Sequence, residues 1–355
     1  MPFASRSFLR SPDAVLLWHY FNSISSAIAS RMNRRSAPGE DNLTFLLCEL
    51  LDERSSDLHL LEYSLSKVRE KLAQSETALD IDISFETHAF SRHYEGKYSG
   101  ADLGLLISVD HPVLGTWRGG ALLQAKKLFH AASGLAYALN SRYKSFDKEQ
   151  AKFLSELGRR YHAYHSIHYL WYNPTSIAFS DSPKVKAFEA LTCQPPLSSR
   201  IHRDFFDESH SDSFHAFNSP DALEEKLPKL REWIVSQPAL RLTDVDVVRQ
   251  LLERDDAVTL ERLYTFLANG HGHREFTPFA TFMLEAVLSR EFCGDTDWIA
   301  LVEGKLVKPK PPSSPNSENT PLVDESPYLP TPRHTLRITV TSSLNNATRV
   351  TPSDV

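Results

Sequence analysis

The first periodic stretch of the chain begins at Ser11, where SPDAVLLWHYF places a capping hydroxyl before Pro12 and an apolar run, predicting a helix over 11–32. After the Arg-rich break RMNRRSAPGEDN, Leu43, Leu46, Leu47, Leu50 and Leu51 recur at helical spacing and form one face. Leu61, Leu65, Val68 and Leu72 carry a second helical stretch to about residue 74. The period then falls to two. In DISFETHAF, Ile83, Phe85 and Thr87 alternate with polar neighbours, as in a half-buried strand. In ADLGLLISVD, Leu103, Leu105, Ile107 and Val109 share one face, while Asp102, Gly104, Ser108 and Asp110 share the other with Leu106. HPVLGTWRGG is expected to turn the chain back into a third strand, ALLQAKKL. A helix over 146–159 and a strand IHYLWYN at 167–173, ended by Pro174, complete this part.

Beyond Ser180 helical patterns dominate. Ser219 with Pro220, Thr243 with Asp246, and Thr277 with Pro278 are helix starts ahead of DALEEKLPKLREWIV, VDVVRQLLERD and FATFMLEAVLSREF. From about Lys308 the composition is that of a disordered tail, although TLRITVTS alternates like a strand that could join a sheet edge. The expected division is an N-terminal helix (1–35), an α/β domain (36–180), a mostly helical module (181–307) and a Pro/Ser-rich tail (308–355).

With 355 residues, 41% of them hydrophobic, the chain can bury a substantial core. Its three cysteines are widely spaced and suggest neither a disulfide framework nor a zinc site, so a reducing cytoplasm is expected. AVLLWHYF is too short to span a bilayer, and no signal peptide or membrane span is expected. The net charge of −6 argues against coating nucleic acid by bulk charge. Between Arg118 and Arg160, however, nine basic residues stand against three acidic ones. Arg118, Lys127, Lys144, Lys148 and Lys152 are therefore candidate phosphate contacts.

Gln124 and Lys126 are two apart on one strand and so project to one face; if the preceding strand pairs with theirs, Asp102 joins them. Asp102 and the Gln124 carbonyl are hard ligands suited to Mg²⁺, and Lys126 beside them can orient or help deprotonate a water near a phosphodiester. Histidines suggest no competing metal centre. His162, His165 and His168 straddle a helix-to-strand change, and His271 with His273 lack two further ligands nearby.

The words SGADLGLLI and GALLQAKKL, in the order helix, three strands, helix, strand, resemble the PD-(D/E)XK nuclease superfamily, in its Mrr-like branch with Gln-x-Lys. The resemblance covers roughly residues 36–175. It implies a restriction-endonuclease-like α/β core and Mg²⁺- or Mn²⁺-dependent hydrolysis of phosphodiesters, in DNA before RNA and plausibly in restriction or defence against foreign DNA. It also implies metal-ligand roles for Asp102 and Gln124 and a catalytic role for Lys126. GEDNLT at 39–44 is similar to the start of the family's first helix and makes Glu40 the candidate acid from it; Glu95 is an auxiliary candidate. A homodimer, or a partner protein met through the helical module, is a further expectation. Gln124 is a departure from the usual acid, and SGAD lacks the superfamily's proline. A neutral amide holds a cation less strongly than a carboxylate. The alternative is therefore a degenerate nuclease fold that binds nucleic acid or serves as a scaffold.

Overall fold

The structure, a computed structural model, describes residues 11–174, 240–305 and 334–340, apart from short stretches within the first two spans. Helices α1 (Ser11–Met32), α2 (Glu40–Leu50) and α3 (Leu65–Gln74) form where the 3.6 period places them. Strand β1 (Ile81–Ala89) leads through a short helix α4 (Arg92–Tyr94) and a π-helical turn, Glu95–Ser99, into β2 (Leu103–His111). Then come β3 (Gly115–Phe129), the two-residue β4 (Arg142–Tyr143), α5 (Lys148–Arg160) and β5 (Ile167–Tyr172).

From residue 240 onward the elements are β6 (Leu240–Asp244), α6 (Val245–Arg254), β7 (Thr277–Pro278), α7 (Phe279–Ser289) and α8 (Thr296–Val302), followed by β8 (His334–Val340). The described strands build one mixed sheet in the order β7-β6-β5-β3-β2-β1-β8, with β4 added alongside β3. Only β3 and β5 run parallel; the other pairs are antiparallel. Helix α5 lies between these two parallel strands in the chain, the crossover that parallel pairing requires.

Strand β1 is half-buried as its alternation predicts, whereas β2 is buried on both faces because helices cover both sides of the sheet. On one face Phe21 of α1 meets Phe85 of β1 at 5.3 Å between ring centroids and Phe279 of α7 at 6.3 Å. On the other, α8 lies so close that a Cβ at Gly104 would come within 2.2 Å of the Val302 carbonyl. Trp298 of α8 donates its indole N–H to the Gly120 carbonyl at 2.8 Å. Gly119 and Gly120, expected in a turn, are therefore strand residues, kept small beneath the side chains of Trp117 and Phe292 at Gly119 and of Leu106, Ile299 and Val302 at Gly120.

The helical module is also corrected in its described part. Leu240–Asp244 pairs with β5, and α7 packs along α1, so residues 240–305 complete the sheet and its layers. The helix expected after Pro220 lies outside the described residues. TLRITVTS does join the sheet: β8 pairs antiparallel with β1, and Ile338 is fully buried. That pairing is the sheet-edge role its alternation suggested. Among the described residues no helix is long and apolar enough to cross a membrane.

Candidate functional site

Strand β3 outlasts β2, and the site grows from that mismatch. The β2–β3 ladder ends where Leu103 pairs with Leu123, leaving the next inward N–H groups of β3 without a strand partner. Carboxylates take them. Asp102 Oδ2 accepts the Ala125 N–H at 2.6 Å, and Glu40 Oε2, from the first turn of α2, accepts the Lys127 N–H at 2.7 Å. Asp102 reaches this position from a tight reversal at Gly100, whose φ of +63° suits glycine. A Cβ at Gly100 would also press on the Phe153 ring at 2.8 Å.

Gln124 and Lys126 project together from β3, 1% and 3% exposed. Gln124 Nε2 donates to Asp102 Oδ2 at 2.6 Å, and its Oε1 accepts from Gln150 Nε2 of α5 at 3.1 Å. Gln150 Nε2 also faces the Gly100 carbonyl at 3.1 Å and Glu95 Oε1 at 3.4 Å. The expected residues Asp102, Gln124, Lys126, Glu40 and Glu95 are thus brought together. Gln150 was missed, although it lies at i, i+4, i+7 with Leu154 and Leu157 on the buried stripe of α5. A glutamine in that stripe is the signal that would have found it.

The Lys126 ammonium has no hydrogen bond or ion pair among the described residues; it lies over the neutral Phe146 ring, 5.9 Å from Nζ to centroid. Its charge nevertheless lowers the pKa of both Glu40 and Asp102. For Asp102 burial dominates and, reinforced by the negative charges of Glu95 and Glu40, pushes the carboxyl up to about 7. Burial likewise raises Glu40, with Asp41 and Glu95 adding to it. Several acids crowded round one lysine leave excess negative potential that a cation would offset.

The donor set suits a hard cation. Asp102 Oδ1 and Glu40 Oε1 accept no hydrogen bond, and the Gln124 carbonyl keeps a second lone pair. Among the described residues no three carboxylate, imidazole or thiolate groups converge as a ready metal cage. Magnesium ordinarily takes one or two carboxylates and keeps several waters, so this oxygen set fits it.

The basic candidates divide. Lys144, Lys148 and Lys152 are exposed, with the Lys144 ammonium 4.5 Å from the Phe129 centroid. Lys127 is corrected: it is 6% exposed, and its ammonium donates to the carbonyls of Ala37 and Pro38, tying down the approach to α2. Arg118 is corrected too. Its guanidinium pairs with Glu303 at 2.6 Å and Glu86 at 3.5 Å, fixing α8 to the sheet.

Tyr169 was also missed. It stands opposite Gln124 in the β3–β5 register, is fully buried, and its hydroxyl has no hydrogen-bond partner. Burial raises its phenol above the ordinary value, and the charges of Asp102 and Asp147 act in the same direction. Compared with protein-family models, curated proteins and solved structures, the chain has no match.

Proposed function

We propose that this protein hydrolyses nucleic-acid phosphodiesters with a divalent cation, Mg²⁺ or Mn²⁺, and that its substrate is DNA. The observation that carries this reading is Lys126: a nearly buried ammonium without a paired anion, beside two buried carboxyls and an amide. A purely structural lysine would be expected to end on an acceptor, as Lys127 does. Asp102, Glu40 and the Gln124 carbonyl would hold the cation, which would supply Lewis-acid polarisation of the phosphoryl oxygen and acidify a water.

In the reaction a water oxygen bonds to phosphorus, the ester P–O bond breaks, and the leaving oxygen ends protonated. Lys126 directs its N–H groups at the phosphoryl group and the attacking water. Gln150, itself held by Glu95 and the Gly100 carbonyl, fixes the Gln124 side chain, and the exposed Lys144, Lys148 and Lys152 attract the nucleic-acid backbone.

A second reading has support from the hydrogen-bond chain Gln150 to Gln124 to Asp102, which satisfies the site without an ion. In that case the protein binds nucleic acid and does not cut it. Purified protein incubated with plasmid DNA and Mg²⁺ or Mn²⁺ decides between them, with Lys126→Met as control. The nuclease reading expects cleavage by the native chain and a loss of about 100-fold or more in the variant. It falls if the native chain cuts with neither ion or the variant cuts equally well. DNA retention in a salt-sensitive gel shift without cleavage would establish the second reading.

A further inference from the structure

Two nearly buried hydrogen-bond donors on adjacent strands rise from one sheet face and, among the described residues, make no hydrogen bond. Lys126 is one, and the hydroxyl of Tyr169 is the other. Parallel pairing sets Gln124 opposite Tyr169 and Lys126 opposite Trp171, so all four side chains rise from the same sheet face. The Tyr169 ring is held by Phe146 and Trp171, each with its centroid 6.0 Å away, which fixes where the hydroxyl points. Trp171 itself satisfies its indole N–H on Thr243 at 2.8 Å. Buried tyrosine hydroxyls ordinarily find a partner. Here Asp102 lies near enough for its charge to raise the phenol, yet it does not accept from the hydroxyl.

We infer that Tyr169 is a substrate-contacting residue, its hydroxyl donating a hydrogen bond to a non-bridging oxygen of the phosphoryl group that Lys126 also faces. This rests on the phosphodiesterase reading above. An anionic oxygen satisfies an ammonium and a phenol together, since both donate to it and its charge strengthens both bonds. The contact selects between the two non-bridging oxygens of the phosphate, because the donor approaches from the β5 side alone. It thereby makes the site stereoselective.

The test is Tyr169→Phe, compared with the native chain on DNA carrying stereodefined Rp or Sp phosphorothioates throughout, cleaved with Mg²⁺. Sulfur in place of the contacted oxygen weakens the hydrogen bond. The native chain should therefore favour one diastereomer, and Tyr169→Phe should lower kcat on ordinary DNA about tenfold while losing most of that preference. Because the hydroxyl has no partner among the described residues, the variant should melt no lower than the native chain. Three results overturn the inference while leaving the nuclease reading intact: an unchanged kcat, the same diastereomer ratio in both proteins, or a clear drop in melting temperature, which would reveal a structural partner for the hydroxyl. Absence of any cleavage by the native chain overturns the nuclease reading itself, and this inference with it.

Discussion

Gln124 donates its side-chain N–H to Asp102 Oδ2 at 2.6 Å, so a neutral amide is hydrogen-bonded to the buried acid beside it. Lys126 and the Ala125 N–H oppose the burial and the Glu95 and Glu40 charges that push the Asp102 carboxyl up. In Gln124→Glu an acceptor would replace the amide donor, and two carboxylates would share one proton or repel. In EDTA at pH 8 the variant should be less stable than the native chain by about 1.5–3 kcal/mol, the scale of a lost hydrogen bond to a charged group. Mg²⁺ should restore most of the loss. Thermal melts with and without Mg²⁺ measure this, and equal responses in both proteins would remove Gln124 from the cation's surroundings.

His88 of β1 sets a pH dependence unrelated to the site. It is 2% exposed, neither ring nitrogen has a hydrogen-bond partner, and burial lowers its pKa to about 4. In the unfolded chain the imidazole titrates near its ordinary 6.5. Between those values the unfolded state binds a proton that the native state refuses, so stability falls as pH drops from about 6.5 toward 4. Full protonation would cost roughly 3 kcal/mol. Asp102 and Asp244, raised to about 7 and about 6, act with the opposite sign, losing stability as pH rises from their unfolded values. Comparison with His88→Leu isolates the histidine. The variant should gain over the native chain at pH 5 and differ little at pH 7.5; a constant difference would show that His88 does not titrate in this range.

Gly104 should tolerate no side chain. Its added Cβ would meet the Val302 carbonyl at 2.2 Å and the Phe90 ring at 3.0 Å, so Gly104→Ala must push α8 off the sheet. A loss of about 1–3 kcal/mol or more is expected in chemical denaturation. Gly96→Ala, with nothing within 4 Å of the new methyl group, is the control and should be nearly neutral. Equal midpoints for the two variants would contradict the described seat of α8.

The exposed lysines should act through charge alone. Reversing Lys148 and Lys152, both on α5, should weaken DNA binding and reduce its dependence on salt by about one to two units of slope. Lys127→Met should behave differently. By freeing the carbonyls of Ala37 and Pro38 it should lower stability and leave the salt slope almost unchanged. Anisotropy titrations at several salt concentrations, paired with melts, separate the two effects. A salt-slope loss at Lys127 equal to that at Lys148 would return Lys127 to the interface.

Local chemistry made much of this protein legible in its sequence. The leucine spacing of α2 and α3, the alternation of β1, and the helical patterns of α6 and α7 depend on neighbours within a few residues, and each element lies where its pattern placed it. Asp102, Gln124 and Lys126 were legible for the same reason, since strand parity and one hairpin suffice to bring them to one face. Other features depended on partners far along the chain. Nothing local in RGG says that α8, 178 residues beyond Gly120, will press on those glycines, nor that Lys127 will meet carbonyls 89 and 90 residues earlier. Leu240–Asp244 reads as a lead-in to a helix until β5 offers it an edge. Gln150 and Tyr169 acquire their meaning only where α5 and β5 meet β3. The sequence by itself determined the elements and the central trio, because periodicity and capping are short-range. The tertiary structure alone decided which donors were left without acceptors, because burial and hydrogen-bond satisfaction are properties of the assembled sheet and its layers.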